Sequence, residues 1–170
     1  MLKLFFLLTL LLNTLSVFAD SVKWKDVSFS VDIPENWREV KDFYGIPVTL
    51  LGPSVSPKPR AVVQIIPTEA PAVKIKDDDA KSFGEKYAEG RKRWVAEQNG
   101  TVLEILPGKL DGKFLTSGVS YKINKKSYLE RTFYTSCPKR LFHLKIVLNF
   151  ENESELAECE KIVRSFSCDG

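Results

Sequence analysis

Val27-Ser28-Phe29-Ser30-Val31-Asp32-Ile33, followed by Pro34-Glu35-Asn36-Trp37, is the stretch from which the fold is read. Apolar Val27, Phe29, Val31 and Ile33 alternate with polar Ser28, Ser30 and Asp32, which predicts a strand with one covered face. Pro34 cannot donate to a ladder and ends that strand, with a turn over Glu35-Asn36-Trp37. Further along, Ile46–Leu51 reads as a second strand closed by Gly52-Pro53. Residues 54–59 are a loop by their proline and serine content. Residues 61–66 are branched on both faces and read as a central third strand.

Residues 67–79 read as a long connection ending in Asp77-Asp78-Asp79. Asp78 or Asp79 is the expected N-cap of a helix, where negative charge also suits the dipole. Ala80, Phe83, Tyr87, Trp94 and Val95 fall near one stripe of that helix, and Asn99-Gly100 stops it. Strands near 101–107, 113–124 and 126–135 follow, the last two joined by a tight turn at Asn124-Lys125-Lys126. A strand over 140–149 and a helix over about 153–166 complete the chain. The expected order is βββ-α-ββββ-α: an α+β domain with an antiparallel sheet of six to seven strands sandwiched by helices.

Before the first strand, Lys3 precedes an apolar run from Leu4 to Leu12, and Val17-Phe18-Ala19 places small residues at the −3 and −1 positions. This is the pattern of a secretory signal over residues 1–19, leaving Asp20 as the expected new amino terminus. The run is about half the roughly 20 apolar residues that span a bilayer, and no cysteine follows the cleavage point to carry a lipid. Residues 20–170 then form one domain, in the periplasm or secreted. Of 25 basic and 22 acidic side chains only Lys3 leaves with the leader, a balance that offers nothing to nucleic acid or to an acidic membrane.

Export makes a disulfide chemically reasonable, and the three cysteines leave one over. The final helix must fold back along the 140–149 strand, which returns Cys168 towards the turn carrying Cys137. Cys159 lies about two helical turns in, on the stripe with Leu156, Val163 and Phe166. The expected pairing is therefore Cys137–Cys168, with Cys159 a buried free thiol. No Cys-x-x-Cys motif supports redox chemistry.

Candidate sites are few. His143, the lone histidine, sits mid-strand beside Lys145 with no nucleophile motif nearby, so a structural role is favoured over a general base or pH switch. A single histidine excludes the usual zinc sets, and no metal or cofactor is expected. Asp77-Asp78-Asp79 lacks the spacing of a calcium loop. Arg91-Lys92-Arg93 reads as a solvated helix face. Trp37 and Trp94 are the weak candidates for a ligand cleft, with core or lid packing favoured for both. Asn152-Glu153-Ser154 is a glycosylation sequon only in a eukaryote, and the compact leader favours a bacterium.

The phrase Phe29-Ser30-Val31-Asp32-Ile33-Pro34-Glu35-Asn36-Trp37 resembles the opening of the PsbP-like and Mog-like families, and Ile162-Val163-Arg164-Ser165-Phe166 resembles their closing helix. The resemblance implies an antiparallel sheet between helices serving as a binding or accessory module, here an exported bacterial branch. It carries over no binding residue, because the matched positions are core and turn positions. The expected function is a non-enzymatic periplasmic protein, monomeric, with an unknown protein partner in the cell envelope. The alternatives are a small-ligand or lipid-binding domain, with a cleft between the sheet and the Trp94 helix or the 67–79 connection, and a hydrolase using His143.

Overall fold

The computed structural model of the chain describes residues 18–24, 27–53, 61–149 and 153–169. Among these residues ten strands and two helices run in the order β1(Phe18–Trp24), β2(Val27–Ile33), β3(Arg38–Phe43), β4(Ile46–Leu51), β5(Val62–Pro71), α1(Asp79–Glu97), β6(Thr101–Asp111), β7(Phe114–Ile123), β8(Lys126–Ser136), β9(Arg140–Asn149), α2(Glu153–Ser165), β10(Ser167–Asp169). Seven of them form one antiparallel sheet, ordered β3-β4-β5-β9-β8-β7-β6, and β1-β2-β10 form a second, small one. The α+β class stands, but five strands precede α1 where three were expected, and β10 follows α2. The expected loop at 54–59 and the sequon asparagine lie outside the described residues, as do residues 1–17 of the expected leader. Strand β1 begins two residues before Asp20, with Phe18 opposite Ile33 and Ala19 opposite Asp32.

The main core lies between one face of the large sheet and a layer made of α2 and β2. Phe142, Leu144, Ile146 and Leu148 of β9 point into it with Val63 and Ile65 of β5, opposite Phe29 and Val31 of β2 and Ile162, Val163 and Phe166 at the end of α2. The rings of Phe29, Phe142 and Phe166 meet pairwise, with centroids 5.0 to 5.5 Å apart. The Cys137–Cys168 bridge, with its Cα atoms 5.6 Å apart, ties β10 to the β8–β9 turn beside this core. Cys159 is a free thiol buried in the same layer, and burial pushes its pKa up to about 12, with Glu158 and Glu155 adding to the effect.

On the opposite face α1 crosses β6 and β7. Val95 packs there against Val119 and Tyr121. The approach is closest at two glycines: a Cβ on Gly84 would lie 2.3 Å from the backbone nitrogen of Gly108, and one on Gly108 would lie 1.9 Å from the Ala80 carbonyl oxygen. Gly108 sits in a bulge where β6 carries two residues, Pro107 and Gly108, against one on β7. Ser117 holds the bulge by donating to the Leu106 carbonyl at 2.9 Å.

The start of α1 falls where expected but is bonded differently. Asp78 takes the capping position without a side-chain cap bond, and Asp79 Oδ2 instead accepts the Lys76 N–H at 3.0 Å. Its end follows the sequence: Asn99 is left-handed (φ 54°) and Gly100 N–H reaches the Val95 carbonyl at 2.8 Å. The expected connection from residue 67 is shorter, because β5 continues to Pro71 beside Arg140.

Since both clashing atoms are backbone, Gly108→Ala forces α1 off β6. The expected cost is about 2–3 kcal/mol in urea unfolding, with local loss of amide protection in α1 and β6.

Candidate functional site

Beneath α1 lies a buried cluster of polar side chains drawn from three elements. Glu130 of β8 is 1% exposed. Its Oε1 accepts the Tyr87 hydroxyl at 2.6 Å, and its Oε2 accepts Arg91 Nη2 at 2.9 Å and Lys145 Nζ at 3.2 Å. Strand periodicity places Glu130, Thr132 and Tyr134 of β8 on the same face as Val147, Lys145 and His143 of β9. The spacing of Tyr87 and Arg91, one helical turn apart, lowers both onto that face.

His143 lies in this layer. Its Nε2 is 2.6 Å from Thr132 Oγ1, with the direction of the bond set by the tautomer. Its ring stacks on Tyr134 at 4.4 Å and 7°, and Phe83 of α1 meets Tyr134 edge-on at 5.2 Å. The His143 pKa is lowered to about 4, chiefly by burial, with the charges of Lys145 and Arg91 contributing in the same sense. Tyr87 moves the other way: burial, then the charge and hydrogen bond of Glu130, raise its phenol well above the usual range. Tyr121 rises to about 12, again chiefly by burial.

Arg91 is the pivot of the cluster. Its guanidinium lies 4.0 Å from the centre of the Trp94 ring and 5.5 Å from that of Tyr121, while Nε is buried without a partner among the described residues. The basic run therefore divides: Arg91 turns inwards, whereas Arg93 stays exposed and pairs with Glu89. Trp94 is 36% exposed, edge-on to Tyr121 at 5.6 Å. Trp37 is elsewhere, 7% exposed in the main core with its ring under Gly52. The three candidates do not converge, since Trp94 and His143 flank the Glu130 cluster and Trp37 belongs to the other layer. Neither of two cavities described, one beside Arg131 and one between α1 and β6, is lined by any of them.

Sequence reasoning missed Glu130, the acid that brings Tyr87, Arg91 and Lys145 together. A carboxylate on a strand whose neighbours pair on both sides was the available signal, because an interior strand hides its side chains on both faces. Among the described residues no group of three or more His, Cys, Asp or Glu could hold a metal ion, and no helix is long and apolar enough to cross a membrane.

No protein-family model matches the chain, and no curated protein sequence matches it. Solved structures do. The solution structure of cyanobacterial PsbP (CyanoP) from Synechocystis sp. PCC 6803 superposes with a TM-score of 0.56 at 12% identity, covering 92% of this chain and 96% of that one. A protein of Bacteroides thetaiotaomicron VPI-5482 gives 0.51 at 15% identity over 84% of this chain, which spans only 45% of the Bacteroides protein. LpqN of Mycobacterium tuberculosis, involved in cell envelope biogenesis, gives 0.46 at 12% identity over 91% of this chain and 92% of that one, too distant to carry an argument. At these identities the likeness concerns the fold alone, which is PsbP-like.

Two outcomes follow from the cluster. Glu130→Gln leaves Arg91 and Lys145 without their carboxylate, and is expected to cost roughly 3 kcal/mol in denaturant unfolding at pH 7. His143 stays neutral in the folded chain down to about pH 4, whereas unfolded it takes up a proton near 6.5. The unfolded state therefore binds more protons between those values. The stability that His143 contributes is complete above pH 6.5 and is lost as the pH falls towards 4, on the order of 3 kcal/mol. Urea midpoints from pH 7 to 4.5 should fall less steeply in His143→Gln, and the imidazole resonances of the parent should not titrate above pH 5.

Proposed function

We propose that the chain is an exported accessory protein, non-enzymatic, which binds a protein partner in the cell envelope through the tip of the β3–β4 hairpin. The observation that carries this reading is Phe43-Tyr44. Tyr44 is 90% exposed and Phe43 41%, their rings edge to face at 4.6 Å. Tyr44-Gly45 forms the two-residue turn, both residues at positive φ (52° and 77°), the geometry that ordinarily selects Asn-Gly. An aromatic residue held left-handed and projecting into water is locally unfavourable, and such strain concentrates where function requires it. Exposed aromatic anchors are also the side chains that dominate protein interfaces.

Other features support the reading. The leader pattern of residues 1–19 and the Cys137–Cys168 bridge agree with export. The PsbP-like fold agrees with an accessory role, by analogy only. Around Glu130 the acid and bases neutralise one another, and His143 and Tyr87 titrate far from the neutral range that suits proton transfer.

The test is site-specific photo-cross-linking in intact cells, with the reactive residue at 44 or, as a control, at exposed Leu103 of the opposite edge strand. A discrete adduct from position 44 is expected, absent from 103, on a chain whose intact mass begins at Asp20. No adduct, the same adducts from both positions, or an uncleaved chain would overturn the proposal. Tyr44→Asn, which restores Asn-Gly, should abolish the adduct's native counterpart while leaving the fold as stable or more so, by up to about 1 kcal/mol.

A further inference from the structure

A cavity of about 330 Å³ opens between α2 and the bulged end of β6. Arg131 and Phe133 of β8 form its floor, Leu106 and Lys109 one wall, and Glu160 and Arg164 of α2 the other. The volume lies at the lower end of the range for small-molecule pockets, and the lining mixes apolar with polar groups as such pockets do. Arg164 Nη2 bonds Asp111 Oδ2 at 2.7 Å, a clasp from α2 to the end of β6 that holds the wall in place.

Arg131 is the feature that asks for a ligand. Its guanidinium offers five N–H donors, yet its one described hydrogen bond is a long one, from Nη1 to the Glu130 carbonyl at 3.4 Å. No carboxylate lies within ion-pair distance of it among the described residues, although Glu160 and Glu104 act on it from farther away. Burial lowers its pKa, so the charge is held at a cost in partly desolvated surroundings. Gly118 on the adjoining strand makes the room for it: a Cβ there would lie 2.8 Å from Arg131 Nη1 and 2.9 Å from Cδ. A half-buried arginine seated on a glycine, with its fork unmatched, is a site built for a planar anion.

The charge count selects among anions. Within the lining, Asp111 is matched by Arg164, which leaves Arg131 and Lys109 against Glu160, a surplus of one positive charge, with Glu104 acting from outside the cavity. Thr116 and Ser117 line the cavity too, but their hydroxyls already donate to the Lys109 and Leu106 carbonyls at 3.3 and 2.9 Å. A dianion such as phosphate would face Glu160 and find few further donors. Phe133 and Leu106 supply an apolar surface beside the guanidinium.

We propose that this cavity binds a small organic monocarboxylate, its carboxylate paired with the Arg131 fork and its apolar body against Phe133 and Leu106. The site rests on the small-ligand alternative and not on partner docking. Failure of cross-linking at Tyr44 therefore leaves it standing, and its own failure leaves the hairpin tip untouched.

The experiment is an amide-resolved NMR titration of the oxidised protein with benzoate, alongside benzyl alcohol and inorganic phosphate. Benzoate is expected to shift the amides of Leu106, Ser117 and Arg131 saturably, with a Kd below about 1 mM. Arg131→Gln should weaken it at least about tenfold, and Gly118→Ala, which displaces the guanidinium, to a similar degree. Arg131→Lys keeps the charge without the fork and should weaken binding several-fold, which preserves a reading should Arg131→Gln fold poorly. Absence of saturation, equal binding of benzyl alcohol, equal or tighter binding of phosphate at the same amides, or unchanged benzoate affinity in folded Arg131 variants would each overturn the proposal.

Discussion

Three phenylalanines hold the two layers of the main core together. Phe29 comes from the small sheet, Phe142 from the middle strand of the large one and Phe166 from the end of α2, and none has measurable exposure. Each ring buried from water stabilises by about 1.5–3 kcal/mol, and edge-on pairs add to that. Their placement matters as much as their area. Phe29 and Cys168 are paired across β2 and β10, so the aromatic cluster and the disulfide restrain the same corner. Lys113 reaches this corner from the β6–β7 turn by donating to the Phe166 carbonyl, which caps the chain where α2 ends.

The other face is held differently. Where α1 lies on β6, contact is between backbones, made possible by Gly84 and Gly108, and apolar area there is modest. Polar bonds replace it: Tyr87 and Arg91 reach across β7 to Glu130. A buried carboxylate with two cations and a phenol contributes less net stability than an apolar contact of equal size, but it admits fewer arrangements, and removing one member is costly. The helix is thus fixed in register, and the aromatic rings of Phe83, Tyr134 and His143 stack in sequence alongside.

Legibility in the sequence followed from how each segment is covered. Val27 to Ile33 was readable because one face is wholly buried and the other is not, so the alternation survives in the residues. Arg-Glu-Val-Lys-Asp-Phe, which forms β3, was not read as a strand. It is an edge strand with polar side chains on both faces, and it carries no apolar period. The bridge between Cys137 and Cys168 was readable because it depends only on a helix folding back along a strand. The Glu130 cluster was not, since its members come from α1, β8 and β9 and meet only through sheet register. Arg131 stayed hidden for the same reason: its significance depends on Gly118 in the neighbouring strand.

The order of the large sheet also bears on how the chain reaches its native state. Strands β6, β7, β8 and β9 follow one another as neighbours, so each can zip onto the last through a short turn. Joining β5 to β9 is another matter, because everything from α1 to β8 lies between them; the Thr68 hydroxyl meets the Leu141 carbonyl across 73 positions. Closing so large a loop carries an entropic cost that must be met before the pairing rewards it. The half of the sheet nearest β6 is therefore local in sequence, and the capture of β5 along the β9 edge carries the largest loop-closure cost within the large sheet.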